Sequence, residues 1–171
     1  MSEEISKGAY SRKWGLIFGL VSAIVFVITS AARINLGFAG LAVAWAIVIA
    51  MFVLGIKEFR TDNGGYVSFG QGFGIAFMIA LLGGVVRAVI QYVYMIIDPE
   101  FLVWQREIQE NSGFGPPRDQ SQEMPEGMQN FMDFAGSAEF SAIISVLMAI
   151  FAGLIFGAVI SAVLKNEADE Y

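Results

Sequence analysis

The sequence contains no cysteine and no histidine. That excludes disulfides, Cys-bearing zinc sites, thiol nucleophiles, haem attachment and every histidine-based triad or base. Charge is scarce as well. Charged types make up 15% of the residues, where a soluble domain averages about 25%. The formal charge of −6 opposes bulk attraction to polyanions, so no nucleic-acid partner is expected. What the chain does have is apolar mass. Hydrophobic types reach 56% of its 171 residues, with 19 Gly and 15 Phe. This composition excludes a disordered chain and an ordinary cytosolic enzyme, and it points to an integral membrane protein in a lipid bilayer.

A bilayer core of ~30 Å takes ~20 apolar residues in a helix that rises ~1.5 Å per residue. Trp14 to Ala32, Ile34 to Ile56 and Phe140 to Leu164 are each free of Asp, Glu, Lys and Arg. A further apolar stretch, Phe69 to Ile97, is interrupted only by Arg87. Backbone groups in hydrocarbon must be satisfied within their own segment, so these runs are helices. The first two runs cannot form one helix, which would span about twice the bilayer core. A tight hairpin is expected at Arg33-Ile34-Asn35-Leu36-Gly37. The expected fold is an all-α membrane protein in a single domain over 1–171. It has four spans near 14–32, 37–56, 68–97 and 140–164 and an extended outer loop over 98–139.

Basic residues near span ends set the orientation. Lys7, Arg12, Lys13, Lys57, Arg60 and Lys165 fall on one side, and Arg33, Arg106 and Arg118 on the other. The expected placement is the cell inner membrane, with both termini cytoplasmic. Tyr10 and Trp14 would anchor the inner boundary, and Tyr92, Tyr94, Phe101 and Trp104 the outer one. A basic start, an apolar run and Ser30-Ala31-Ala32 also resemble a cleaved signal peptide. An h-region is only ~7–15 residues long, however, and a second span follows at once, so retention is expected.

Local signals mark the loops. Asn63-Gly64-Gly65 is a turn signal, because glycine accepts positive φ without steric cost. Ser68 followed by Gln71 matches a capping box, which starts the third span. Asp98-Pro99 ends it, since proline disfavours helix for the residue before it. In the outer loop, Glu126 to Ala135 carries Met128, Phe131, Met132 and Ala135 at helical spacing, which reads as an interfacial helix feeding the fourth span. The remainder, Asn111 to Pro125, reads as irregular. Gly70-Gln71-Gly72-Phe73-Gly74 lacks the spacing of a phosphate loop and reads as helix packing. No metal site and no cofactor is expected.

The loop string Gly55-Ile56-Lys57-Glu58-Phe59-Arg60, then Asn63-Gly64-Gly65, then Val67-Ser68-Phe69-Gly70, resembles a signature of domain-of-unknown-function family 4199. These are small four-span membrane proteins common in the Bacteroidetes. Gly15, Asp98-Pro99-Glu100 and Ile160-Ser161-Ala162-Val163-Leu164-Lys165 extend the resemblance over the whole chain. It implies a topology and a loop motif of Lys57, Arg60, Asn63, Gly64, Gly65 and Ser68. It implies no chemistry, and Arg87 is not part of the pattern.

Two faces stand out. Ser137, Ser141, Ser145, Ala149, Gly153, Gly157 and Ser161 recur every four residues along the fourth span. Gly15, Gly19 and Ser22 form a shorter stripe on the first. Small residues let helices approach closely in lipid, so these stripes read as packing faces within the bundle or between copies. On the third span, Ala76, Ala80, Gly83, Arg87, Gln91 and Tyr94 share one face. Arg87 is expected to point into the bundle and to hold polar contacts, with Gln91 beside it as part of a candidate polar site.

Three functions fit these features. The first is a non-catalytic protein that scaffolds or assists a membrane complex. The second is a small oligomeric carrier or channel for an anionic solute, using the Arg87–Gln91 face. The third is an enzyme of the outer loop, where Glu100, Glu107 and Glu110 could supply paired carboxylates. The expected answer is the first. No residue is assigned a catalytic role.

Overall fold

The computed structural model describes residues 6–111 and 125–166, with the side chains at 109–111 excepted. Six helices follow one another: α1 (Lys7–Ala31), α2 (Gly37–Asp62), α3 (Phe69–Ile97), α4 (Glu100–Asn111), α5 (Glu126–Ala135) and α6 (Ala138–Leu164). α1, α2, α3 and α6 are each long and apolar enough to cross a membrane. The chain is a multi-pass membrane protein. Apart from an isolated Val67–Asn166 bridge, the described residues hold no strand pairing.

The span ends shift outward from the apolar runs. α1 begins at Lys7 rather than near 14, and α2 continues to Asp62 rather than ending near 56. An apolar run reports only the part of a helix that lies in hydrocarbon. The helix itself continues through its charged turns until its backbone meets a stop.

Those stops are local. Between α1 and α2 the chain reverses through Arg33 at φ 51° and Gly37 at φ 48°. A positive φ at Arg33 is uncommon for a residue with a Cβ. Gly64 at φ 68° and Gly65 at φ 89° turn the chain between α2 and α3. The capping box forms as expected: Gln71 N–H donates to Ser68 Oγ at 3.3 Å, and Ser68 N–H donates to Gln71 Oε1 at 2.9 Å.

α3 is the central helix. It runs antiparallel to α6 in a ladder of close approaches. A Cβ at Gly72 would lie 3.0 Å from Ser161 Oγ, and one at Gly157 would lie 3.1 Å from Ala76 Cβ. A Cβ at Gly153 would lie 2.6 Å from Ala80 Cβ, and one at Gly84 would lie 2.6 Å from Ala149 Cβ. α1 packs parallel to α3 on a neighbouring stripe. There a Cβ at Gly15 would meet Leu82 Cβ at 2.9 Å, and one at Gly19 would meet Val86 Cβ at 2.6 Å. The face of α3 read as continuous is therefore divided: Ala76 and Ala80 turn to α6, while Gly83 meets Phe18 of α1.

Two apolar clusters hold the bundle. At the end that carries the termini, Phe52, Ile56, Phe59, Ile75 and Ile79 are fully buried. At the opposite end, beside the Arg33 hairpin, Met95, Phe101 and Ala138 pack with Phe26, Tyr94 and Trp104. The segment 98–139 is thus not an extended loop over its described part. α4 follows directly after Asp98-Pro99, and its Phe101 is buried in the bundle rather than laid on the membrane surface. Phe101 meets the rings of Phe26 and Tyr94 edge-on, with centroids 5.6 Å apart in both cases.

Candidate functional site

Arg87 is the one charged side chain of α3, ten residues before its end. At ~1.5 Å per residue it lies about 15 Å from the hairpin end, near the middle of a ~30 Å core. A charge at that depth costs from ~2.5 to over 10 kcal/mol, so its surroundings matter.

Those surroundings follow from how α2 packs. Its buried residues are Val48, Phe52, Gly55, Ile56 and Phe59, from the middle of the helix toward the termini. From Gly37 to Ala46 the helix is almost entirely exposed. A cavity of about 310 Å³ lies between this free half of α2 and α1, and Arg87 of α3 forms part of its wall. The rest of the wall is apolar except for Ser22 and Thr29. The Thr29 hydroxyl already donates within its own helix, to Val25 O at 2.8 Å and Phe26 O at 3.0 Å.

Arg87 does not hold the polar contacts expected of it. Its Nε is buried with no hydrogen-bond partner among the described residues. The two ion pairs among those residues lie elsewhere, at Lys13–Glu58 and Arg33–Asp98. Gln91 is buried one turn away, its Oε1 likewise without a partner among the described residues, and it does not line the cavity. Arg87 and Gln91 lie one turn apart on α3, and no hydrogen bond joins Arg87 Nε to Gln91 Oε1.

A second cavity, of about 330 Å³, adjoins the first and shares Phe26, Thr29, Ile34 and Leu36 with it. Its far wall is the underside of α4, at Phe101, Trp104, Gln105 and Ile108. Arg33 ties this end together. Its guanidinium donates to Asp98 Oδ1 at 2.9 Å, lies 5.8 Å from the Phe101 ring centroid and lies 5.9 Å from that of Trp104. Tyr94 Oη donates to the second Asp98 oxygen at 2.8 Å. Hydrogen bonds from Arg33 and then Tyr94 hold the Asp98 carboxyl below the usual carboxylate range, and the same bond to Asp98 pushes the Arg33 guanidinium up. Sequence reading places Arg33 only in a turn. Its partner is 65 residues away, and no local pattern announces the pair.

The remaining singled-out residues lie along the helix contacts and in the loop after α2. Gly15 and Gly19 face α3, as do Ala149, Gly153, Gly157 and Ser161. Ser145 is half-buried and donates back to Ala142 O at 2.9 Å. In the loop motif, Arg60 Nε donates to Gly65 O at 2.9 Å, and Asn63 Nδ2 donates to Tyr66 O at 2.9 Å. Lys57 is exposed. The loop is clasped by the C-terminus: Val67 and Asn166 exchange two backbone hydrogen bonds of 2.9 Å, and Asn166 Nδ2 donates to Gly65 O at 2.9 Å. Glu100 and Glu107 sit on exposed positions of α4, and the Glu110 side chain lies outside the described residues.

Neither a curated protein nor a solved structure matches this chain. A family described as protein of unknown function (DUF4199) matches residues 13–166. That match takes in α1 from Lys13 onward, the other three long helices, the hairpin, the clasped loop and Arg87, and the chain belongs to this family.

Proposed function

We propose that this is a non-catalytic inner-membrane protein whose activity is to bind an anionic group at Arg87. The observation that carries this reading is a guanidinium on the wall of a cavity, with a buried Nε lacking any partner among the described residues. An intramembrane ionisable residue is a functional-site hypothesis by default. Arginine suits the task because it keeps its charge at depth and offers a planar fork of donors. The six-to-three basic count supports cytoplasmic termini, which puts the Arg33 hairpin and α4 on the periplasmic side. Carriage across the membrane would require several copies.

The test is anion-dependent thermal stability of the purified protein in detergent. A ligand that binds only the folded state adds ~2.7 kcal/mol at a hundred times its Kd. The parent should be stabilised by at least one of chloride, orthophosphate and organic carboxylates, and Arg87→Gln should lose that response. If no anion distinguishes the two proteins, the reading fails. Flux in proteoliposomes then separates a carrier from a protein that only retains its ligand.

A second reading, scaffolding or assisting a membrane complex, is favoured by α5. None of its residues is buried, and Met128, Phe131, Met132 and Phe134 are all exposed. Affinity purification in mild detergent should recover partners that Phe131→Ser releases. Identical recoveries from parent and variant would remove α5 as the docking element.

A further inference from the structure

The cavity also bears on what kind of anion it takes, and this step rests on the reading of Arg87 as an anion site. We infer that the ligand is an apolar monoanion: one carboxylate on a hydrocarbon body.

Charge comes first. Arg87 is the sole charged residue on the wall. A dianionic phosphate would keep a net negative charge there, in a medium where an unpaired charge is expensive. A single carboxylate is neutralised by one guanidinium. Its two oxygens match a pair of parallel N–H donors, a charge-assisted and bidentate arrangement. The two terminal nitrogens of the guanidinium, neither of them among the buried unpaired atoms, supply that pair.

Solvation comes second. Chloride or orthophosphate would have to give up hydration on all sides. Beyond Arg87 the wall offers Ser22 and Thr29, and the Thr29 hydroxyl already donates within α1. The rest is Phe, Val, Ile, Leu, Ala and Gly. Such a wall rejects a small hydrated ion and accepts a hydrocarbon, since burial of apolar surface is favourable. A carboxylate on an apolar body satisfies both parts of the site together.

Size comes third. The cavity measures about 310 Å³. A cavity of ~150 Å³ takes up benzene, so this one suits a body of about twelve non-hydrogen atoms. The adjoining cavity under α4, about 330 Å³, leaves room for a longer chain toward the hairpin end. Two sources share this chemistry: an alkyl carboxylate dissolved in the bilayer and an aromatic carboxylate arriving from water.

The experiment is calorimetric titration of the full chain in maltoside micelles with decanoate, 2-naphthoate, decanol, chloride and orthophosphate. The parent should bind at least one of the two carboxylates, and decanol more weakly by about tenfold or more, the usual worth of hydrogen bonds to a charged group. Decanoate alone identifies the bilayer source, 2-naphthoate alone the aqueous one, and both together a site open to either. Arg87→Gln should reduce carboxylate binding to the decanol level while keeping decanol binding, which reports an intact cavity. Ala44→Phe fills the cavity and leaves Arg87 in place, so it should abolish carboxylate binding. If it binds decanoate and 2-naphthoate like the parent, the inference fails even where Arg87→Gln cannot be purified. Chloride or orthophosphate bound through Arg87, with neither carboxylate bound, overturns the inference and leaves the anion site standing. Absence of Arg87-dependent binding for every anion overturns both.

Discussion

Arg33 and Asp98 join the hairpin between α1 and α2 to the end of α3 across 65 residues of chain, through a 2.9 Å contact. The pair also orders what lies around it. Arg33 faces the rings of Phe101 and Trp104, and Asp98 accepts from Tyr94. Helix α4 is thereby held over the cavity that adjoins Arg87's. A turn cation and a helix-stop carboxylate together close one end of the bundle.

Asp98→Asn and Arg33→Gln should each lower the melting temperature in detergent, and the double variant should melt close to the worse single. Coupled partners are non-additive in this way. Additive losses would mean that each residue acts alone.

The Asp98 carboxyl is held below its ordinary value, chiefly by Arg33. A depressed folded-state pKa gives stability that is complete above the unfolded value of ~3.9 and is lost as pH falls through the folded value. The stability gap between parent and Asp98→Asn should therefore be constant from neutral pH down to about pH 5 and shrink below about pH 4. A gap that widens on acidification would contradict the pairing.

Packing substitutions should rank by the space a Cβ would find. Gly153→Ala meets Ala80 Cβ at 2.6 Å and Gly19→Ala meets Val86 Cβ at 2.6 Å, whereas Gly157→Ala meets Ala76 Cβ at 3.1 Å. The first two should cost about 1–3 kcal/mol, as overpacking does, and Gly157→Ala less. Leu154 is 44% exposed, and Leu154→Val should be nearly silent. Thermal melts in one detergent check the order. Equal melting of Gly153→Ala and the parent would mean that α6 does not pack on α3 along this stripe.

Arg60→Ala and Asn166→Ala should free the clasp between the loop after α2 and the C-terminus, each at about 1 kcal/mol for lost hydrogen bonds. Proteolysis at the Gly64–Gly65 turn should quicken in both. Unchanged cleavage rates would show that the backbone pairing of Val67 with Asn166 holds the loop without them.

The proposed orientation is checked with single cysteines, since the parent has none. In cells with a permeabilised outer membrane, an impermeant thiol reagent should label Ser121→Cys and spare Ser6→Cys. The reverse pattern would invert the topology.

The four spans are legible in the amino-acid order, because lipid supplies no hydrogen-bond partner and a charge-free run of about 20 residues has to be helical. The start of the third helix is equally legible, since Ser68 and Gln71 lie three residues apart and bond to each other. The turn before it follows from Asn63, Gly64 and Gly65 for the same local reason, and both glycines take positive φ there. Helix α4 has a local start signal too, in Asp98, Pro99 and Glu100, but nothing local says where its aromatic side chains pack. Its Phe101 and Trp104 are held by Phe26, Tyr94 and Arg33, residues that only the fold brings to them. The surroundings of Arg87 escape the sequence because a helix face names the direction of a side chain and not what stands opposite. Whether Arg87 meets a neighbouring helix or a cavity depends on α2, which buries side chains from Val48 to Phe59 and leaves Gly37 to Ala46 largely exposed, with Trp45 touching Phe156. That choice is made by side-chain packing among residues distant in the chain, and only the tertiary structure decides it.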